Sequence, residues 1–125
     1  MSDRESIVAE AERWLDGYRR AWASNDAADI RDIFTDDAEY RYEPWTEPLR
    51  GQDAILASWL ERHDEPDTWT FDGRVVGVDG RQAFVQGETR YTSGTTYSNL
   101  WVVTLADDGR AASFTEWWMD QSKAS

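Results

Sequence analysis

The chain has 125 residues, no cysteine and a formal net charge of −12. That length suits a single domain over 1–125 with one sizeable core. The absence of thiols excludes disulfides, thiol catalysis and thiolate metal sites. The negative charge disfavours nucleic acid and membrane surfaces as partners.

No apolar run is long enough to span a membrane, and MSDRESIVAE carries no signal-peptide pattern, so a cytoplasmic location is expected. Eight Trp are more large rings than a minimal core needs. They suggest an aromatic-lined, hydrophobic pocket, or else a Trp-filled core and dimer face.

Over 4–23, apolar residues recur at Ile7, Ala11, Trp14, Leu15, Tyr18, Ala21 and Trp22. These helical spacings predict an amphipathic first helix. Gly17 weakens it and suits the close approach of another element. Asn25 is placed to stop the helix and Asp26 to cap the next. A short helix is expected through Ile30, Ile33 and Phe34.

Residues 38–42 alternate as a strand, followed by a Pro-bounded loop to Leu49. A third helix is expected over 52–63, with Ile55, Leu56, Trp59, Leu60 and His63 on its apolar stripe. Four strands follow, at 68–78, 82–92, 95–105 and 110–120. A bulge is expected at Gly73, where the alternation shifts phase. Asp79-Gly80, Ser93-Gly94 and Asp107-Asp108-Gly109 read as turns. The ends, 1–5 and 122–125, are expected to be loose. Three helices in the first half and an antiparallel meander behind them argue an α+β fold.

Tyr18 on the first helix, Phe34-Thr35-Asp36-Asp37-Ala38, Leu49-Arg50-Gly51 with Ile55, and Asp108-Gly109-Arg110 are the positions of a wider resemblance. The whole chain resembles the nuclear transport factor 2-like superfamily. More narrowly it resembles its SnoaL-like group, which includes polyketide cyclases and is related to ketosteroid isomerases. The resemblance implies a cone-shaped half-barrel, with three N-terminal helices packed on a curved, mostly antiparallel sheet around an apolar pocket. It also implies a homodimer packed through the sheet.

The resemblance further implies that Tyr18 donates to a substrate oxyanion. Glu43-Pro44 resembles the general-base Asp-Pro pair of ketosteroid isomerases if one residue of loop length is allowed; without it, Tyr42 takes that place. Trp101 stands where those enzymes carry a second, acidic oxyanion donor, leaving an indole N–H in its stead. Asp120 lies in the part of the pocket where SnoaL-like cyclases are thought to use an Asp.

The residues themselves leave several choices open. Glu43, beside Tyr42 and Trp45, suits proton abstraction next to a carbonyl; it equally suits a solvated turn paired with Arg41 or Arg50. Tyr18 is a ligand contact or a core phenol bonded to protein. Glu116, Trp118 and Asp120 share one face of the last strand, and Thr115, Trp117 and Met119 take the other. If the Trp118 face turns inward, Glu116 and Asp120 become pocket acids; otherwise they pair with Arg81, Arg90 or Arg110. His63 is a helix-end residue or a proton carrier near Trp59. Asn99 suits orienting a polar ligand group.

No spacing implies a metal, and no phosphate loop, nucleophile signature or dinucleotide fingerprint is present. Cofactor-free chemistry is thus expected, and the resemblance implies an isomerase or cyclase. It would act by proton transfer on an apolar, ring-bearing carbonyl compound held among Trp14, Tyr18, Trp22, Tyr42, Trp59, Asn99, Trp101, Glu116 and Trp118. The alternative is a non-catalytic ligand-binding or dimerisation module on the same fold. A limonene-type epoxide hydrolase is a third option, requiring an Asp-Arg-Asp relay that no spacing singles out.

Overall fold

In the computed structural model, which describes residues 3–123, a long helix α1 (Asp3–Ser24) leads into a short α2 (Ala27–Arg31). Asn25 adopts φ 51° between them, and its N–H bonds back to the Ala21 carbonyl at 2.8 Å. Asp26 then caps α2 by accepting from Ala28 N at 2.8 Å. The sharp corner thus follows from an Asn that tolerates the left-handed region and an Asp that caps.

Next come β1 (Phe34–Arg41), β2 (Leu49–Arg50), α3 (Gln52–Glu61), β3 (Trp69–Asp79), β4 (Gln82–Tyr91), β5 (Thr96–Leu105), β6 (Ala111–Asp120) and a 3₁₀ turn (Gln121–Lys123). The six strands form one curved, open sheet in the order β2-β1-β6-β5-β4-β3. Neighbours are antiparallel except β1 and β6, which run parallel. The fold is α+β, with three helices packed on the sheet. Among the described residues no helix is long and apolar enough to cross a membrane.

Several local details depart from the sequence expectations. Phe34 starts β1 instead of ending a helix, because it pairs with Ala111 of β6. Leu49 and Arg50 form an additional strand against Tyr40 and Glu39. The α3 helix ends at Glu61, before His63. The β3 bulge lies between Val75 and Gly77, not at Gly73.

Gly73 instead makes room for a ring. A Cβ there would lie 2.4 Å from Phe71, and one at the paired Gly87 would lie 2.6 Å from it. The Phe71 ring stacks on Trp101 at 4.7 Å and 3°. Gly17 has the anticipated close neighbour, since a Cβ there would meet Ile33 Cγ2 at 2.8 Å. Asp3 to Glu5 open α1, and Ser122 and Lys123 sit in the 3₁₀ turn; the remaining end positions, Met1, Ser2, Ala124 and Ser125, lie outside the described residues.

The core joins α1 to the inner face of the sheet through Trp14, Tyr18, Phe34, Tyr40, Trp101 and Phe114. Tyr18 is its hub, with ring contacts to Trp14, Trp22, Trp59, Trp101 and Phe114 at 4.5–5.9 Å. Burial of rings this large supplies much of the apolar stabilisation.

Candidate functional site

Register settles the face of the last strand. Tyr97, Asn99, Trp101 and Val103 of β5 pair with Asp120, Trp118, Glu116 and Phe114 of β6. Directly paired residues of antiparallel strands share a face, so Glu116 and Trp118 turn inward with Asn99 and Trp101. Tyr18 and Trp22 from α1, Trp59 from α3, and Tyr40 and Tyr42 from β1 and its exit oppose them across a cavity of about 280 Å³. Residues 62–64 after α3, with Thr89, Tyr91 and Tyr97, complete the wall.

Glu116 is one of two acids lining this cavity, with Asp64. Its Oε2 accepts from Asn99 Nδ2 at 3.0 Å and from the Trp101 indole N–H at 3.2 Å. Asn99 is fixed in turn, because its Oδ1 accepts from Thr89 Oγ1 at 2.7 Å. Both bonds end on one carboxyl oxygen, leaving Oε1 for another partner. Burial pushes the Glu116 carboxyl up to about 7; the Trp101 and Asn99 bonds pull it down, and the charges of Glu43 and Asp64 add to the rise. A carboxyl poised near neutrality suits both giving and taking a proton.

The Tyr18 and Tyr40 hydroxyls lie 3.5 Å apart in the same wall. Burial, reinforced by the charge of Glu116, holds both phenols protonated well beyond their ordinary range. The Tyr42 hydroxyl pairs with Ser58 Oγ at 2.8 Å, and burial raises it as well. Asp64 ties three elements together: its Oδ2 accepts from Trp22 Nε1 at 3.0 Å and from the Tyr91 hydroxyl at 2.9 Å, while its carbonyl accepts from Asn25 Nδ2 at 3.1 Å.

The cavity lining includes Tyr18, Trp22, Tyr42, Trp59, His63, Asn99, Trp101, Glu116 and Trp118 from the sequence-derived set. Three members of that set are absent from it. Trp14 belongs to the core, where its indole donates to the Ile33 carbonyl at 2.9 Å. Glu43 sits in the turn after β1, its carbonyl accepting from Thr46 N and Oγ1. The aromatic cradle anticipated around it does not form, since Trp45 is 80% exposed. Asp120 shares the inner face by register, but Oδ1 accepts from Ser122 N and Oγ, which lowers its carboxyl below the usual range.

His63 lies at the mouth, bonded to the Leu60 carbonyl at 2.7 Å and Glu65 at 3.0 Å; these bonds raise the imidazole above its ordinary value. Trp101, read as a spare donor, has its N–H directed at Glu116. Its cross-strand neighbour Glu116 places an acid beside it.

Sequence reasoning missed Tyr40, Arg62, Asp64, Thr89, Tyr91 and Tyr97 as cavity residues. Tyr97 was within reach, since its alternation with Asn99 and Trp101 already put it on their face. Asp64 was out of reach, because nothing local signals partners as distant as Trp22 and Tyr91. Arg62 is the one Arg of the lining, and its guanidinium lies 4.3 Å from the Tyr42 ring centre, so no Asp-Arg-Asp relay is assembled there. Among the described residues no three His, Cys, Asp or Glu side chains gather as metal ligands.

The model of the SnoaL-like domain matches residues 11–118. The chain belongs to the SnoaL-like domain family. No curated protein matches the sequence.

Among solved structures, a "putative ketosteroid isomerase" from Kribbella flavida DSM 17836 superimposes with a TM-score of 0.74 at 18% identity, over 100% of this chain and 86% of that one. An NTF-2 like protein of unknown function from Burkholderia xenovorans LB400 gives 0.74 at 20% identity, covering 99% and 91%. An LEH-like epoxide hydrolase from M. tuberculosis gives 0.63 at 16% identity, covering 90% and 84%. At these identities the likeness of this SnoaL-like chain to each is one of fold.

Proposed function

We propose that this SnoaL-like domain is a cofactor-free isomerase or cyclase acting on an apolar, ring-bearing carbonyl compound, with Glu116 as the proton carrier. The supporting observation is a carboxyl, poised near pH 7, inside an aromatic cavity with one oxygen unoccupied. In this reading Oε1 takes a proton from the carbon beside the substrate carbonyl. The C–H electrons move into the new C=C bond, and the carbonyl oxygen becomes an enolate. Tyr18 or Tyr40, both held protonated, donates a hydrogen bond to that oxygen. Where a second C=C is conjugated with the enolate, return of the proton at the far carbon completes an isomerisation; alternatively the enolate carbon attacks a second carbonyl, whose oxygen takes the proton back from Glu116, completing a ring closure. Glu116 ends as it began. The fold likeness to a named ketosteroid isomerase agrees with such chemistry.

Glu116 displaces Glu43 as the preferred base because it lies within the cavity. The test is turnover on a panel of cyclic ketones and polyketide-like compounds. Glu116→Gln is expected to lose at least about 100-fold, and Glu43→Gln to stay near the wild type. Full turnover by Glu116→Gln removes the proposal.

A second reading, a dimerisation module, is favoured by the outer face of the sheet. Leu100 and Trp117 are paired there and Met119 lies alongside, with exposures of 38%, 50% and 69%. Self-association through this face would cover them, and it is compatible with the enzymatic reading.

A further inference from the structure

The cavity carries two acids, and among the described residues no cation is paired with either. Asp64 and Glu116 both line it, and the charge of each reaches the other's surroundings: Asp64 adds to the rise of Glu116, and Glu116 adds to the rise of Tyr91, which is bonded to Asp64. The ion pairs among the described residues include neither acid. Arg62 and His63, the basic residues of the lining, are engaged elsewhere, Arg62 on the Tyr42 ring and His63 with Glu65.

The two acids are held alike. In each, an indole N–H and one further donor bond to a single oxygen: Trp22 and Tyr91 on Asp64 Oδ2, Trp101 and Asn99 on Glu116 Oε2. The second oxygen of each has no side-chain partner among these bonds. Such clamping fixes where the negative charge sits without neutralising it.

The walls between the acids are ring surfaces. Nine of the fifteen lining residues are Trp or Tyr, and the face of an aromatic ring attracts a cation through its quadrupole. Arg62, lying 4.3 Å from the Tyr42 ring centre, shows one wall ring already accepting a guanidinium. A neutral hydrocarbon ligand would use the rings but cover two acids without pairing either. A ligand carrying one positive charge would use both features.

We infer that the cavity selects a cationic ligand, an apolar ring-bearing compound with a protonated or quaternary amine, whose ammonium group sits between the Asp64 carboxylate and the surrounding rings. This deepens the proposed function and rests on the cavity being its substrate site. The amine end would lie at Asp64 and the carbonyl end at Glu116 and the Tyr18–Tyr40 pair. Asp64 then acts as a specificity-determining residue that takes no part in the proton transfer.

The test is a tryptophan-fluorescence titration of the full chain with phenyltrimethylammonium and with its neutral isostere tert-butylbenzene. The cation is expected to bind at least about tenfold more tightly, a difference of about 1.4 kcal/mol. Asp64→Asn, which retains an oxygen for Trp22 and Tyr91, is expected to remove most of that preference, read as the ratio of the two affinities; its thermal midpoint checks that the fold is intact. Should Asp64→Asn fail to fold, salt decides in the wild type: the preference shrinks as sodium chloride is raised.

Equal or tighter binding of tert-butylbenzene overturns the cationic inference and leaves the proposed proton transfer standing. A preference that survives both Asp64→Asn and salt overturns the role given to Asp64. Binding of neither compound overturns the inference together with the cavity as a ligand site.

Discussion

Replacing Glu116 by Gln should make the protein more stable, and increasingly so as the pH rises. Burial raises the Glu116 carboxyl from an ordinary value of 4.5 to about 7. Below the unfolded value both folded and unfolded chains hold the proton, and the wild type keeps its full stability. Between 4.5 and 7 the unfolded chain ionises while the folded one holds its proton, so stability falls as pH rises; above 7 the loss is complete.

Each pH unit between the two values corresponds to about 1.4 kcal/mol, which gives a full loss of about 3 kcal/mol, and about 1 kcal/mol of it is already lost near pH 5. Water reaching the open side of Glu116 screens part of this. Gln is neutral throughout, and its carbonyl can accept the same Asn99 and Trp101 bonds. The stability of the variant relative to the wild type should therefore rise by about 2 kcal/mol between roughly pH 5 and roughly pH 8.5. Urea unfolding followed by tryptophan fluorescence at both pH values measures it. A difference that is the same at both, or that turns against the variant at high pH, would refute the placement of Glu116 in a desolvated site.

Trp101→Phe keeps a ring to stack on Phe71 but deletes an N–H that holds the Glu116 carboxyl down. Carbon NMR of the labelled carboxyl should report a midpoint above that of the wild type, and a lower midpoint counts against the assignment. Gly87→Ala places a Cβ 2.6 Å from the Phe71 ring and 2.9 Å from the Asp72 carbonyl oxygen. It should cost about 1–3 kcal/mol in urea unfolding; a neutral effect would mean that the ring is not seated across that glycine. Trp117→Glu places a charge on the outer sheet face, so sedimentation equilibrium should give a monomer where the wild type gives a dimer. A wild type that is already monomeric removes the dimerisation reading.

The fold was legible because its signals are local and repeated. The three-and-four spacing of Ala11, Trp14, Tyr18 and Trp22, the Asn25-Asp26 corner, and the turns at Gly80, Gly94 and Gly109, all at positive φ, each constrain a few neighbouring residues. The departures have long-range causes. Phe34 belongs to a strand only because β6 runs parallel beside it, and Gly73 reads as a bulge until the Phe71 ring is seen lying over it.

The site was half legible. Alternation put Glu116, Trp118 and Asp120 on one face, but the direction of that face depends on pairing with β5, where a slip of one residue reverses it. Glu43 attracted notice through its position before a Pro. Its absence from the cavity lining goes with the turn at Thr46 and the outward Trp45, which local sequence does not specify.

The central claim is that Glu116 moves a proton at carbon beside a carbonyl. Proton NMR of ring-bearing ketones, with and without an amine substituent, incubated with the protein in heavy water tests it most directly. The wild type should wash deuterium into the position next to the carbonyl of at least one such compound, and Glu116→Gln should not. Equal exchange with the two proteins, or none with the wild type, would contradict the account.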